Sequence, residues 1–251
     1  MTKPMANLRT ALVTGASKRV GRRVSEALLA DGWRLFAHVH SNDDAVAEGA
    51  TRLVGDLSAP DIGETLFAAI GGPVDLLVNC AARFGDDALG RLDPGEFEQH
   101  MAINVRAPAL LIDALARRHA AGAGAGRRAL VVNVLDAKLA APNPDFLSYT
   151  LSKYALAGLT EVAARALADK GIRVNAVAPA LMLPSGEQSD EEFEKVHAFN
   201  PLRHGVEVDE LVAAVRFLLD SPAMTGQTLV LDGGQRFMAL PRDVQFLDEA
   251  K

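Results

Sequence analysis

Tyr149 and Lys153 stand four residues apart in Tyr149-Thr150-Leu151-Ser152-Lys153, a spacing that puts both side chains on one face of a helix. An ammonium beside a phenol favours the phenolate, so the pairing predicts a tyrosine pKa lowered from about 10 toward a value useful for proton transfer. The other tyrosine is a control: four residues beyond Tyr154 lies Gly158, which supplies no charge. A second group of residues could hold an anion. Thr14-Gly15-Ala16-Ser17-Lys18-Arg19-Val20-Gly21-Arg22 leads from an apolar segment into a helical one, where backbone N–H groups and the helix dipole attract a pyrophosphate. Gly15 permits a tight turn and Gly21 a close approach of helix to ligand. Arg19 stands where a middle glycine would be expected, and its guanidinium can add a charge-assisted contact to phosphates.

These groups need a scaffold, and the chain provides a regular one. Short apolar runs, expected as strands at Ala11–Thr14, Arg34–Val39, Arg52–Val54, Leu76–Asn79, Ala129–Val134, Arg173–Ala178 and Thr228–Leu231, alternate with stretches of helical period. That alternation predicts an α/β fold of the Rossmann type, a doubly wound parallel sheet with helices on both faces. The first helix is expected to begin near Val20 and to end at Gly32, and long helices are expected over Phe97–Ala120 and Ser148–Asp169. In such a sheet ligands sit beyond the carboxyl ends of the strands, where Asp56, Asn79 and the residues after Val134 gather. Gly122-x-Gly124-x-Gly126 precedes a strand instead of following one, so it is not expected to be a phosphate loop. The second strand runs out through Ala37-His38-Val39-His40-Ser41-Asn42 with no acid at its tip. With Lys18 and Arg19 nearby, this favours NADP(H) over NAD, although Asp43 and Asp44 follow closely. His38 and His40 lack further ligands around them, so no metal site is expected.

The chain has 251 residues and a formal charge of -6. Its length suits one domain over residues 1–251, with residues 8–80 mainly a cofactor half, residues 81–240 a catalytic and substrate half, and a lid at about 180–204. An acidic balance argues against nucleic acid and for a small-molecule substrate. No run from Met1–Asn7 onward has the length of a signal or membrane segment, and the one cysteine, Cys80, permits no intramolecular disulfide. A soluble, cytoplasmic protein is expected, with no membrane partner.

The Thr-Gly turn, Asp56-Leu57, Asn79, Asn104, Tyr149, Lys153 and Val174-Asn175 through Pro179 together resemble the short-chain dehydrogenase/reductase family, in order and over nearly the whole chain. The resemblance implies that Tyr149 transfers the proton, that Lys153 holds the nicotinamide ribose, and that Asn104 anchors a water in a proton relay. It further implies cofactor contacts from Gly15, Ser17, Lys18, Arg19, Val20, Gly21, His40, Ser41, Asn42, Asp56, Leu57, Asn79, Ala81, Pro179 and Leu181. Helices Phe97–Ala120 and Ser148–Asp169 resemble the family's subunit-packing helices, which implies a homotetramer.

Thirteen residues before Tyr149 the family usually has a serine, and this chain has Asp136. A carboxylate would raise the energy of a carbonyl oxygen that becomes negative, whereas it suits a substrate with N–H donors or one protonated at nitrogen. Arg19, Asp136 and Phe84 together resemble the pteridine reductase or dihydromonapterin reductase-like branch. That likeness implies NADPH-dependent reduction of a C=N bond in a dihydropterin or folate-like ring stacked on Phe84. Arg19, Phe84, Asp136, Tyr149, Met182 and Phe199 are then the substrate-binding residues, and Asp136, Asn104, Tyr149 and Lys153 the catalytic ones. Two alternatives stay open: a carbonyl reductase or alcohol dehydrogenase of the same family, and a non-catalytic NADP-binding sensor.

Overall fold

The computed structural model describes residues 9–122, 128–184 and 189–249. Met1–Asn7, the later glycines of the Gly122–Gly126 patch and Glu187 of the expected lid lie outside the described residues. Strands β1 (Thr10–Val13), β2 (Arg34–Val39), β3 (Thr51–Val54), β4 (Leu76–Asn79), β5 (Ala129–Val134), β6 (Ile172–Pro179) and β7 (Thr228–Leu231) form one sheet. Their order is β3-β2-β1-β4-β5-β6-β7, and every pairing is parallel. This is the expected doubly wound sheet.

Strand side chains alternate between two cores, as the period of two requires. Leu12, Leu77, Val131 and Val174 face Leu66 and Phe67 of α2 (Ile62–Ile70), Leu111 and Leu115 of α4 (Ala107–Gly122), and Ala163 and Leu167 of α5 (Leu147–Leu167). Val13, Leu35, Val78 and Val132 face Val24 and Leu28 of α1 (Arg19–Ala30), and Leu211, Val215 and Leu218 of α7 (Val208–Asp220). Burial on both faces is why the central strands β1, β4 and β5 read as largely apolar runs in the sequence, whereas the edge strand β3 is mostly exposed.

The expected helix over Phe97–Ala120 has a different construction. It starts earlier, as α3 (Pro94–Met101), with proline in the first turn and Asp93 Oδ1 accepting from Glu96 N–H at 2.9 Å. A π-helical turn, Ala102–Arg106, then joins it to α4. Pro108 explains the join: its ring crowds the carbonyl four residues back, that of Asn104, and it has no N–H to give. The acidic run after β6 becomes α6 (Asp190–His197). Strand order reverses between β1 and β4, which opens a crevice beyond their carboxyl ends.

Candidate active site

A cavity of about 1180 Å³ opens at that crevice. One end is made by the β1–α1 turn. Gly15 has φ +66, and a Cβ there would stand 2.9 Å from the Ala81 Cα; at Gly21 a Cβ would run into the Gly15 carbonyl. Only glycine fits either place, so the turn packs against α1 and the start of the β4 loop without a gap. His38 braces it from β2: Nε2 lies 3.1 Å from the Gly55 carbonyl and Nδ1 accepts from Gly15 N–H at 3.4 Å. A carbonyl only accepts, so the ring is the Nε2–H tautomer. Burial, ahead of its hydrogen bond to Gly55, holds its pKa below the ordinary histidine value.

Helix α1 begins in this end of the cavity with no side-chain cap and no acid in its first turn. Its first amides are therefore free to meet an anion. Ser17, Lys18, Arg19 and Val20 line the wall beside them. Arg19 sits at φ +52 and donates to the carbonyls of Pro184 at 2.6 Å and Leu183 at 3.4 Å, tying the turn to the segment after β6. His40, Ser41, Asp56 and Leu57 line the far wall, and so does Asp44, whose Oδ2 accepts from Ser41 N–H at 3.0 Å. Hydrogen bonds from Ser58 hold the Asp56 carboxyl below its usual range.

The other end is built by α5 and the loops after β4 and β5. Tyr149 donates to Asp136 Oδ2 at 2.9 Å, while Asp136 Oδ1 accepts from Lys138 N–H at 2.8 Å and caps the 3-10 turn Ala137–Ala140. Lys153 donates to the Val134 carbonyl at 2.7 Å, with its Nζ 5.6 Å from the Tyr149 ring centroid. This corrects one expectation. Burial, and then the Asp136 charge, push the Tyr149 phenol well above its ordinary value, because the hydroxyl is enclosed and faces a carboxylate. Burial also raises Asp136 and lowers Lys153. The arrangement keeps a proton on the tyrosine oxygen. Cys80, on the cavity wall, is pushed up to about 11 by burial.

Phe84 lies 47% exposed over this end, its ring edge-on to Tyr149 at 4.8 Å and tilted against Phe146 at 4.5 Å. Ala81, Pro179, Leu181 and Met182 complete the expected lining. Four expected residues do not line the cavity. The Asn79 side chain is buried against Asn133, to which it donates at 2.8 Å. Asn104 is buried one layer behind: Oδ1 accepts from Arg83 N–H at 2.8 Å, and Nδ2 donates to the Arg83 carbonyl and Ser152 Oγ at 2.9 Å each. That side chain braces the β4 loop on α5. Asn42 gives its carbonyl to Arg52, and Phe199 is 41% exposed away from the cavity.

Sequence reasoning missed the C-terminal segment. Leu240, Asp243, Val244 and Gln245 wall the substrate end. Arg242 Nε donates to both Asp145 oxygens at 2.9 Å, and Phe246 stacks on Phe146 at 5.6 Å. No periodic pattern marks residues 239–246, so only the tertiary fold shows their place. Lys138 was equally silent; it donates to the Asp145 carbonyl at 2.6 Å and approaches Asp243 at 3.4 Å.

Residues 15–236 match a family model described as enoyl-(acyl carrier protein) reductase. The chain belongs to the short-chain dehydrogenase/reductase family. This short-chain dehydrogenase/reductase is 32% identical over 240 residues to L-xylulose reductase of Caenorhabditis elegans, covering 89% of this chain and 94% of the relative. It is 32% identical over 283 residues to pteridine reductase 1 of Leishmania tarentolae, covering 93% and 97%. Among solved structures, FolM alternative dihydrofolate reductase 1 from Brucella canis complexed with NADP aligns with a TM-score of 0.84 at 35% identity, over 92% of this chain and 95% of that one. An oxidoreductase with an NAD(P) site follows from membership. The glycine turn and the uncapped head of α1 fit the diphosphate of such a cofactor. No described helix is long and apolar enough to cross a membrane.

Proposed function

We propose that this protein is an NADPH-dependent reductase of a C=N bond in a dihydropterin or folate-like ring. The observation that carries the reading is the Tyr149 hydroxyl on Asp136 Oδ2 at 2.9 Å beside the exposed face of Phe84. A serine in place of Asp136 would serve a carbonyl oxygen; a carboxylate serves a ring edge that presents N–H groups. The nicotinamide, when bound, supplies hydride. Tyr149 holds the proton for the substrate nitrogen, Asp136 orients Tyr149 and accepts from the ring, Phe84 stacks on the ring, and Lys153 fixes the ribose. Arg19 and Lys18 bind the phosphates, and His40 and Ser41 take the 2′-phosphate at the β2 tip. Pteridine reductase and alternative dihydrofolate reductase relatives support the same substrate class.

Steady-state NADPH oxidation with dihydropterins, dihydrofolate and a ketone panel tests the reading. Turnover of the pterins is expected, and turnover confined to ketones would overturn it. Carbonyl reduction is the second reading, favoured by the L-xylulose reductase relative and opposed by Asp136. One cytoplasmic domain working as a homotetramer is part of the proposal, and sedimentation of the purified protein tests the assembly.

A further inference from the structure

Helix α5 starts without a cap of its own. Its N-cap residue, Phe146, has φ +55, rare for a bulky side chain, and offers no acceptor to the first amides. The acceptors come from the loop after β4. Asp87 Oδ1 accepts from Ser148 N–H at 2.9 Å, and the Asp87 carbonyl accepts from Leu147 N–H at 3.2 Å. Asp87 is 3% exposed and Ser148 and His100 are fully buried. The Ser148 hydroxyl lies 2.8 Å from His100 Nδ1, which also reaches the Glu96 carbonyl at 2.9 Å, and the imidazole meets the Tyr149 ring nearly edge-on at 6.4 Å. None of the three lines the cavity.

This network is not a cheap way to fill space. Asp87 Oδ2 and His100 Nε2 are buried with no hydrogen-bond partner, which opposes folding, so an apolar filling of the same volume would be the more stable solution. What the polar arrangement adds is direction. It fixes the register and rotation of one helical turn, the turn whose next residue is Tyr149. The loop that gives the cap also carries Phe84, so stacking face and proton donor are set by one piece of chain.

We propose that Asp87 is the cap of α5 supplied across the fold, and that with Ser148 and His100 it positions the Tyr149 hydroxyl against Asp136. Asp87 is thus a positioning residue, and the inference rests on Tyr149 as the proton-transferring group. Asp87→Ala removes the acceptor, whereas Asp87→Asn keeps an oxygen in its place. Asp87→Ala is expected to lower kcat about tenfold or more while the NADPH dissociation constant, read by fluorescence, changes less than about twofold. Hydrogen exchange should quicken in residues 147–150 and not along the rest of α5. Asp87→Asn should recover most of kcat. Wild-type kcat in folded Asp87→Ala, or an Asn variant as slow as the Ala one, overturns the proposal. Should Asp87→Ala not fold, Asp87→Glu takes its place, keeping the charge but moving the carboxylate by one methylene; reduced kcat at unchanged NADPH affinity supports the proposal, and full kcat overturns it. Tyr149→Phe, assayed alongside, separates the two ideas. A dead Tyr149→Phe with a full-speed Asp87→Ala defeats only the cap, and a full-speed Tyr149→Phe defeats the site assignment beneath it.

Discussion

The Tyr149 hydroxyl gives its hydrogen to a carboxylate, and this decides how the site should respond to mutation and to pH. Tyr149→Phe is expected to retain NADPH affinity and to lower kcat by about 10²–10⁴, the range for removing a general acid; equilibrium binding and stopped-flow turnover check it. Asp136→Ser should shift kcat/KM from pterins toward ketones by about tenfold or more, since it exchanges an acceptor for a donor beside the reacting atom. Burial remains in that variant, but the second cause raising Tyr149 is gone. The phenol then loses its proton at lower pH than in the parent, so the alkaline fall in kcat should move to lower pH. The Tyr149–Lys153 spacing was legible in the sequence because i and i+4 share a helix face. The direction of the pKa shift was not, because it depends on the burial of the phenol and on Asp136 arriving from the end of β5.

At the scale of elements, the β1–α1 turn is the most constrained piece. Gly21→Ala should abolish detectable NADPH binding while leaving a folded protein, since the added methyl meets the Gly15 carbonyl and the turn must open; circular dichroism and a binding titration check both halves. The strands were predicted to within a residue at each end, the central ones because segments buried on both faces must be largely apolar. The break at Ala102–Arg106 was missed, although Pro108 stands in the interior of the expected Phe97–Ala120 helix, where a proline signals an interruption. The C-terminal segment is joined to the site by Arg242 on Asp145 and Phe246 on Phe146, contacts between residues about 100 apart that no local pattern announces. Removing residues 240–251 should raise the substrate KM and leave NADPH affinity intact.

Across the whole molecule, two buried imidazoles set an acid limit. Burial lowers the pKa of both His38 and His100 in the fold, so between the folded and unfolded values the unfolded chain binds more protons. Their neutral forms therefore cost nothing above about pH 6.5, the ordinary histidine value, and stability falls as pH drops below it. Thermal unfolding at falling pH should show the decline, and it should be shallower in His100→Gln. NADPH affinity of the folded protein should weaken only at lower pH still, below the depressed folded value of His38, because a protonated His38 no longer accepts from Gly15 N–H. The cavity that joins phosphate turn and proton donor has one thiol on its wall. With Cys80 pushed up to about 11, only about one molecule in ten thousand carries a thiolate at pH 7. Since it is the chain's single cysteine, the rate at which a disulfide reagent labels the protein is a stopwatch for breathing of the crevice, and filling the crevice with dinucleotide should slow it.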